Sequence, residues 1–179
     1  MTEKSRENYL RVTQVLYPFS GLDKIDSQVV AHAADRGTKV HQICEAIISG
    51  VGEFGVDDEV SGYVESFKRW WDLGHKLVSM EQRFWDDQLH ITGQVDIIID
   101  TPEGFAIVDL KTSSKVSKTW EAQGCAYAYL AKNAGINVQK ILFIHLNKFG
   151  KDPKIHEYPI DESFFLSCLR VYKHFFQKD

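Results

Sequence analysis

Apolar positions in the middle of the chain fall into two blocks, Val95-Asp96-Ile97-Ile98-Ile99 and Phe105-Ala106-Ile107-Val108-Asp109-Leu110, divided by Thr101-Pro102-Glu103-Gly104. β-Branched residues dominate both blocks and a Pro/Gly turn separates them. The pattern predicts a β-hairpin with strands over 89–100 and 104–111. Upstream, 76–85 alternates well enough for a strand with Glu81 in its middle. Downstream, 140–146 reads as a short buried strand, and 154–160 pairs with it across 147–153. Helical spacing appears over 39–48 (Val40, Ile43, Cys44, Ile47, Ile48), 58–73, 117–134 and 161–177. Asp26-Ser27 is placed to cap a helix reaching Ala34, and Arg36-Gly37-Thr38 predicts a break before the 39–48 helix. Residues 8–25, with Pro18 and Gly21, read as a short helix or irregular arm, and 49–58 as a loop. The order is helices, three strands, helix, two strands, helix. It predicts an α/β domain, one mixed sheet with helices packed on it, over residues 1–179.

Each central block carries an aspartate inside it. An ionised carboxylate in a half-buried strand is costly unless a cation or strong hydrogen bonds compensate. Residues two apart on a strand share a face, so Asp109 and Lys111 point one way and Val108 and Leu110 the other. If the strands pair, Asp96 can lie beside Asp109. Two carboxylates and an ammonium at one spot suit Mg²⁺ or Mn²⁺. The plainer account makes Asp109–Lys111 a structural ion pair and Asp96 a surface residue near the turn.

Composition narrows the class. The chain has 179 residues, 44% hydrophobic and 26% charged, ordinary values for a globular domain with a sizeable core. No apolar run reaches the length of a membrane span, so no membrane partner is expected. Residues 1–7 lack the apolar core of a signal peptide and are too acidic for a transit peptide, so a cytoplasmic location is expected. The three cysteines are far apart and match neither a disulfide framework nor a zinc or iron–sulfur spacing. The net charge of −4 argues against binding nucleic acid by bulk charge, but leaves room for a locally basic channel.

Other positions can be read two ways. His41 and Glu45, four apart at the border of the 39–48 stripe, are metal-site candidates or ordinary helix flank. Glu81 is an exposed strand position or the rim of a site. Gln123 and Tyr127, four apart on the helix after the Lys111 strand, are core margin or part of the site. Lys111, Lys115 and Lys118 have no acid between Asp109 and Glu121. They form a solvated loop or a phosphate-contacting strip.

Taken in order, these pieces resemble the RecB-like, phage-type exonuclease branch of the PD-(D/E)XK nuclease superfamily. Arg36-Gly37-Thr38-Lys39-Val40-His41 with Glu45 is similar to the family's RGxxxHxxxE helix. Gly93-Gln94-Val95-Asp96 is similar to its GxxD strand, Ile107 through Thr112 to its hhDxKT strand, and Gln123 to Tyr127 to its QxxxY helix. Arg11 through Leu16 is similar to the SVTxIL opening of phage-type members. The resemblance covers about residues 11–130 and implies a restriction-endonuclease-like fold. It implies that His41, Asp96, Asp109 and the backbone carbonyl of Leu110 hold Mg²⁺ or Mn²⁺. Lys111 would orient the attacking water, Gln123 and Tyr127 would hold the DNA strand or the lysine side of the site, and Arg36 would contact phosphate. The cysteines depart from the iron–sulfur arrangement of some relatives, so no cluster is expected. With no helicase segment, a stand-alone module is expected. The implied activity is metal-dependent DNA exonuclease action in phage-type recombination or repair. DNA, a recombination or annealing protein, and further copies of the chain are the implied partners. A catalytically silent nucleic-acid-binding or interaction module, an endonuclease and an RNA-acting enzyme are the alternatives. The intact Asp96, Asp109 and Lys111 argue against the silent one.

Overall fold

The strand at the centre of the sheet is β3, Ile91–Thr101. The structure is a computed structural model that describes residues 8–177, so the stretch read for targeting signals lies outside the described residues. Strand β4, Gly104–Lys111, pairs antiparallel with β3, and Gly104 takes the φ of 118° that closes their turn. Strand β2, Lys76–Asp86, lies antiparallel along the other edge of β3. Strand β5, Val138–His145, runs parallel to β4 and sets His145 opposite Lys111. A parallel pair needs a crossover. Helix α4, Thr119–Asn133, supplies it. Strand β6, Lys154–Tyr158, returns antiparallel to β5. The two-residue β1, Leu10–Arg11, runs parallel to the start of β3 at Ile91 and Thr92.

The remaining helices are α1 (Val12–Ser20), α2 (Ser27–Ile48), α3 (Ser61–Trp71) and α5 (Glu162–Phe175). They divide the core in two. Val15, Ile98, Ile107, Leu130, Phe143 and Phe165 pack where α1, α4 and α5 cover one face. Val40, Ile43, Phe67, Ile97, Val108 and Ile144 pack where α2 and α3 cover the other. Both faces of β3 and β4 are therefore buried, which is why these strands read as nearly continuous apolar runs. No helix among the described residues is long and apolar enough to cross a membrane.

The expected mixed sheet and its hairpin are present, with corrections at the edges. The break at Arg36-Gly37-Thr38 does not occur: α2 is one helix of 22 residues, capped by the Asp26 carboxylate, which accepts from the N–H groups of Gln28 and Val29. A glycine inside a helix costs about 1 kcal/mol against alanine. Burial of Val40, Ile43 and Cys44 along α2 outweighs that cost. Helix α3 starts at Ser61 rather than at 58, because the Asp57 carboxylate turns the preceding chain by accepting from the N–H groups of Glu59 and Val60. The 8–25 segment is a strand, a helix ended by Gly21, and a 3₁₀ turn at Leu22–Lys24.

Candidate active site

Alternation fails inside β3. Ile91 and Val95 belong to the core under α1, α4 and α5, yet Ile97 and Ile99, of the same parity, belong to the opposite core. The face changes at Asp96. Across from it on β2, between the pairs Met80–Ile97 and Gln82–Val95, lies Glu81, whose φ of 50° is in the left-handed region. On the other edge, backbone pairing of β3 with β4 stops at Ile97–Val108. The N–H of Leu110 donates instead to Asp96 Oδ2 at 2.8 Å. The strands part here, and side chains from both layers of helices enter the split.

From α2 comes His41. Its Nδ1 lies 3.5 Å from Asp96 Oδ1, and its Nε2 lies 3.0 Å from the Leu110 carbonyl oxygen. Glu81 completes a group with His41 and Asp96 whose ligand atoms all lie within 4.8 Å of one another. Glu81 is held in turn: Gln94 Nε2 donates to its Oε2 at 2.5 Å, and Arg83 Nη2 donates to the Gln94 side-chain Oε1. A cleft of about 400 Å³, lined by Gly37, Thr38, His41, Gln42, Glu45 and Glu81, opens beside this group. A hollow of about 10 Å³ adjoins His41, Glu81, Asp96 and Leu110, near the room one water needs.

From α4 come Gln123 and Tyr127. Gln123 Nε2 donates to Asp109 Oδ1 at 3.1 Å and to the Tyr127 hydroxyl at 2.9 Å. Its Oε1 accepts from Lys111 Nζ at 3.1 Å. Lys111 Nζ also lies 2.6 Å from Asp109 Oδ2. Oδ2 is buried and has this ion pair as its partner. Both Gln123 and Tyr127 are buried, and their bonds run to the lysine side of the site.

The electrostatics follow from burial and crowding. Burial, reinforced by the Asp96 charge, pushes Asp109 up to about 6 against the pull of Lys111. Burial also opposes ionisation of Asp96, but His41, Lys111 and the Leu110 N–H hold that carboxyl below its ordinary range. For His41 burial favours the neutral ring, and the Asp96 carboxylate overrides it, with help from Asp109, to about 9. Burial and the neighbouring Asp96 push Glu81 up. A cluster of acids that is costly to ionise together calls for a cation.

The donor set fits a divalent ion. It offers the carboxylates of Glu81 and Asp96, the Leu110 backbone carbonyl and an imidazole. Without an ion, His41 Nε2 and the Leu110 carbonyl oxygen are hydrogen-bonded to each other at 3.0 Å.

The structure thus brings His41, Asp96 and Leu110 together, and sets Asp109, Lys111, Gln123 and Tyr127 in an adjoining bonded network. Asp109 stands outside the close three-residue group, because Lys111 and Gln123 engage both its oxygens. Glu45 lies on the cleft wall. Arg36 is partly engaged elsewhere: Nη2 reaches the Thr112 carbonyl at 3.5 Å, Nη1 lies 3.7 Å from Glu59, and the guanidinium lies 5.5 Å from the Tyr63 ring centre. Lys115 and Lys118 are exposed after β4, without an ion pair among the described residues. Sequence reasoning missed Arg83 and Gln94. Extending the β3 register onto β2, which pairs these two, would have found them.

A family model described as the PD-(D/E)XK nuclease superfamily matches residues 54–167. Among solved structures, SSO0001 has a TM-score of 0.52 at 18% identity, over 100% of this chain and 80% of that one. A protein of Eubacterium rectale described as a candidate exonuclease has a TM-score of 0.55 at 11% identity, over 98% of this chain and 83% of that one. At these identities the likeness is one of fold. No curated protein matches the chain.

Proposed function

We propose, from the premise that this chain belongs to the PD-(D/E)XK nuclease superfamily, that it is a metal-dependent deoxyribonuclease of the RecB-like, phage-exonuclease branch, hydrolysing DNA from an end. The observation that carries this reading is the network in which Lys111 is held between Asp109 and Gln123, beside the group of His41, Glu81 and Asp96. His41, Asp96, Asp109 and the Leu110 carbonyl would hold Mg²⁺ or Mn²⁺, with Glu81 within reach of the same place. A bound ion supplies positive charge that polarises the phosphate and makes water more acidic.

The chain's own residues do the rest. Lys111 orients the attacking water and offsets charge that grows on the phosphate as the new P–O bond forms and the strand oxygen leaves. Gln123 fixes the ammonium through its carbonyl, and the Tyr127 hydroxyl accepts from the Gln123 amide, setting the rotamer. Glu81 and Glu45 line the cleft beside the ion group, where they disfavour a second phosphate close by. A role in recombination or repair, with an annealing protein or further copies of the chain as partners, belongs to the same proposal.

The test uses end-labelled linear DNA and closed circular DNA, each with Mg²⁺, Mn²⁺ or EDTA. Loss of label from linear DNA only, abolished by EDTA, is expected. Cleavage of the circle would make the enzyme an endonuclease. Binding without cleavage under every condition would make it a silent module.

A further inference from the structure

The turn between β5 and β6 plays no part in the chemistry described above, yet it is built to tight tolerance. It leaves β5 directly beside Lys111, for the Leu146 N–H donates to the Lys111 carbonyl at 2.8 Å. Ser66 on α3 accepts the Asn147 N–H at 2.9 Å. Asn147 then folds the turn over itself: its Oδ1 accepts the Phe149 N–H at 2.9 Å and its backbone oxygen accepts the Gly150 N–H at 3.1 Å. Gly62 of α3 has no side chain to keep the turn away, since a Cβ there would sit 1.9 Å from the Lys148 oxygen. On this fixed backbone Phe149 is 74% exposed, with Lys148 Nζ 4.9 Å from its ring centre. Lys151 and Lys154 are exposed further along, so residues 148–154 carry three lysines and one acid, Asp152, in a chain whose net charge is −4. Lys154 is the register partner of His145, and His145 is the partner of Lys111. His145 also holds the Ser113 carbonyl at 2.6 Å, which ties the loop bearing Lys115 to the same end of the sheet.

We propose that residues 147–153 form a contact for the nucleic-acid strand bound at Lys111, with Phe149 stacking on a base and Lys148 and Lys151 meeting phosphates. This rests on the nuclease reading above and adds a place where the strand is gripped. Phe149 lies three chain steps beyond Leu146, a span of at most about 11 Å. At roughly 3.4 Å per nucleotide step, Phe149 is then within a few nucleotides' reach of a phosphate at Lys111. An exposed aromatic ring on a rigid turn loses little entropy when a base stacks on it. The neighbouring ammonium groups track the backbone, as in other surfaces that hold single strands without reading sequence.

The test measures binding of fluorescent single-stranded and overhanging oligonucleotides in a Lys111→Ala background, where cleavage is suppressed, and scans an abasic site along the strand. Phe149→Ala should weaken binding roughly 5- to 150-fold, the range for one stacked base. The loss should vanish when the abasic site lies at the contacted position. Phe149→Tyr should restore binding. Lys148→Ala with Lys151→Ala should weaken all oligonucleotides alike and lower the salt slope by about 0.7 per lysine. Melting temperatures should not move, because these side chains are exposed. If Phe149→Ala binds every oligonucleotide as its parent does, or weakens them irrespective of the abasic position, the stacking contact is overturned. Failure of the unmodified protein to bind or cleave DNA at all would instead bring down the nuclease reading.

Discussion

Lys111 is the residue at which the proposal separates chemistry from binding. Its ammonium is shared by Asp109 and Gln123 in the resting site, and the role proposed for it lies where charge changes during the reaction. Lys111→Ala should leave DNA and metal affinity nearly intact, while the single-turnover cleavage rate falls on the order of a hundredfold or more. A wild-type rate in saturating Mg²⁺ would reduce Lys111 to a structural partner of Asp109. Asp109 itself weighs against stability. Its pKa of about 6 in the folded protein, against an ordinary value of 3.8, means that the folded state binds a proton more readily than the unfolded one between those values. The carboxylate therefore destabilises the metal-free protein above about pH 6, and that penalty fades as pH falls toward 4. In EDTA, the stability of the wild type should therefore fall as pH rises from about 4 to 6, and Asp109→Asn should remove that part of the slope, read from melting temperatures across the range. A slope unchanged in Asp109→Asn would show that another group carries it. His41 titrates in the opposite sense: its raised pKa, about 9, stabilises the metal-free fold below pH 6.5, and that contribution is lost as pH rises through 9. A ring that binds metal must give up its proton. Calorimetry with Mn²⁺ at pH 7 in buffers of different ionisation heat should therefore register proton release, and His41→Ala should remove it. Binding with no proton released would take His41 out of the ligand set.

The glycine that opens the Gly93-to-Asp96 motif is explained by a helix, not by the strand that carries it. A Cβ on Gly93 would lie 2.8 Å from Tyr127 Cε1 and 3.0 Å from Leu130 Cδ1, so α4 can rest on β3 only with glycine there. Gly93→Ala should lower stability by about 1–3 kcal/mol, the usual cost of overpacking, and should slow cleavage by moving Tyr127 and hence Gln123. Unchanged melting would mean that α4 is looser against β3 than its packing indicates. This contact also marks what a one-dimensional reading can reach. The β3–β4 hairpin was legible because a β-branched run, a Pro/Gly turn and a second run carry their own signal. The cap at Asp26 was legible for the same local reason. The unbroken α2 was not: Gly37 reads as a breaker, and only the buried stripe that follows it keeps the helix going. The reversal of faces at Asp96 was not legible either. It arises where β2, β3 and β4 fail to pair, and that failure lifts Glu81 from a marginal candidate to a neighbour of His41 and Asp96.

Taken whole, the chain is acidic, and its nucleic-acid surface must therefore be local. Its net charge is −4, while the connection after β4 carries Lys115 and Lys118, both exposed, between Asp109 and Glu121. Long-range attraction to DNA is weak for such a molecule and is screened beyond about 10 Å at ordinary salt. Affinity should come from a few lysines that displace counterions at the mouth of the site. Each phosphate neutralised on a duplex contributes about 0.9 to the slope of log affinity against log salt. Lys115→Ala and Lys118→Ala should each weaken binding to unrelated duplexes by the same factor and lower that slope by about 1, with the cleavage rate at saturating DNA unchanged. The double variant should lower the slope by about 2 if the two lysines contact different phosphates. Titrations from 50 to 200 mM salt measure this directly. A slope equal to wild type would make the loop after β4 ordinary solvated surface. A loss confined to one sequence would mean that these lysines read bases. Equal loss on every duplex, together with the smaller slope, would join the acidic body and the basic mouth in one account of how the strand is brought to Lys111.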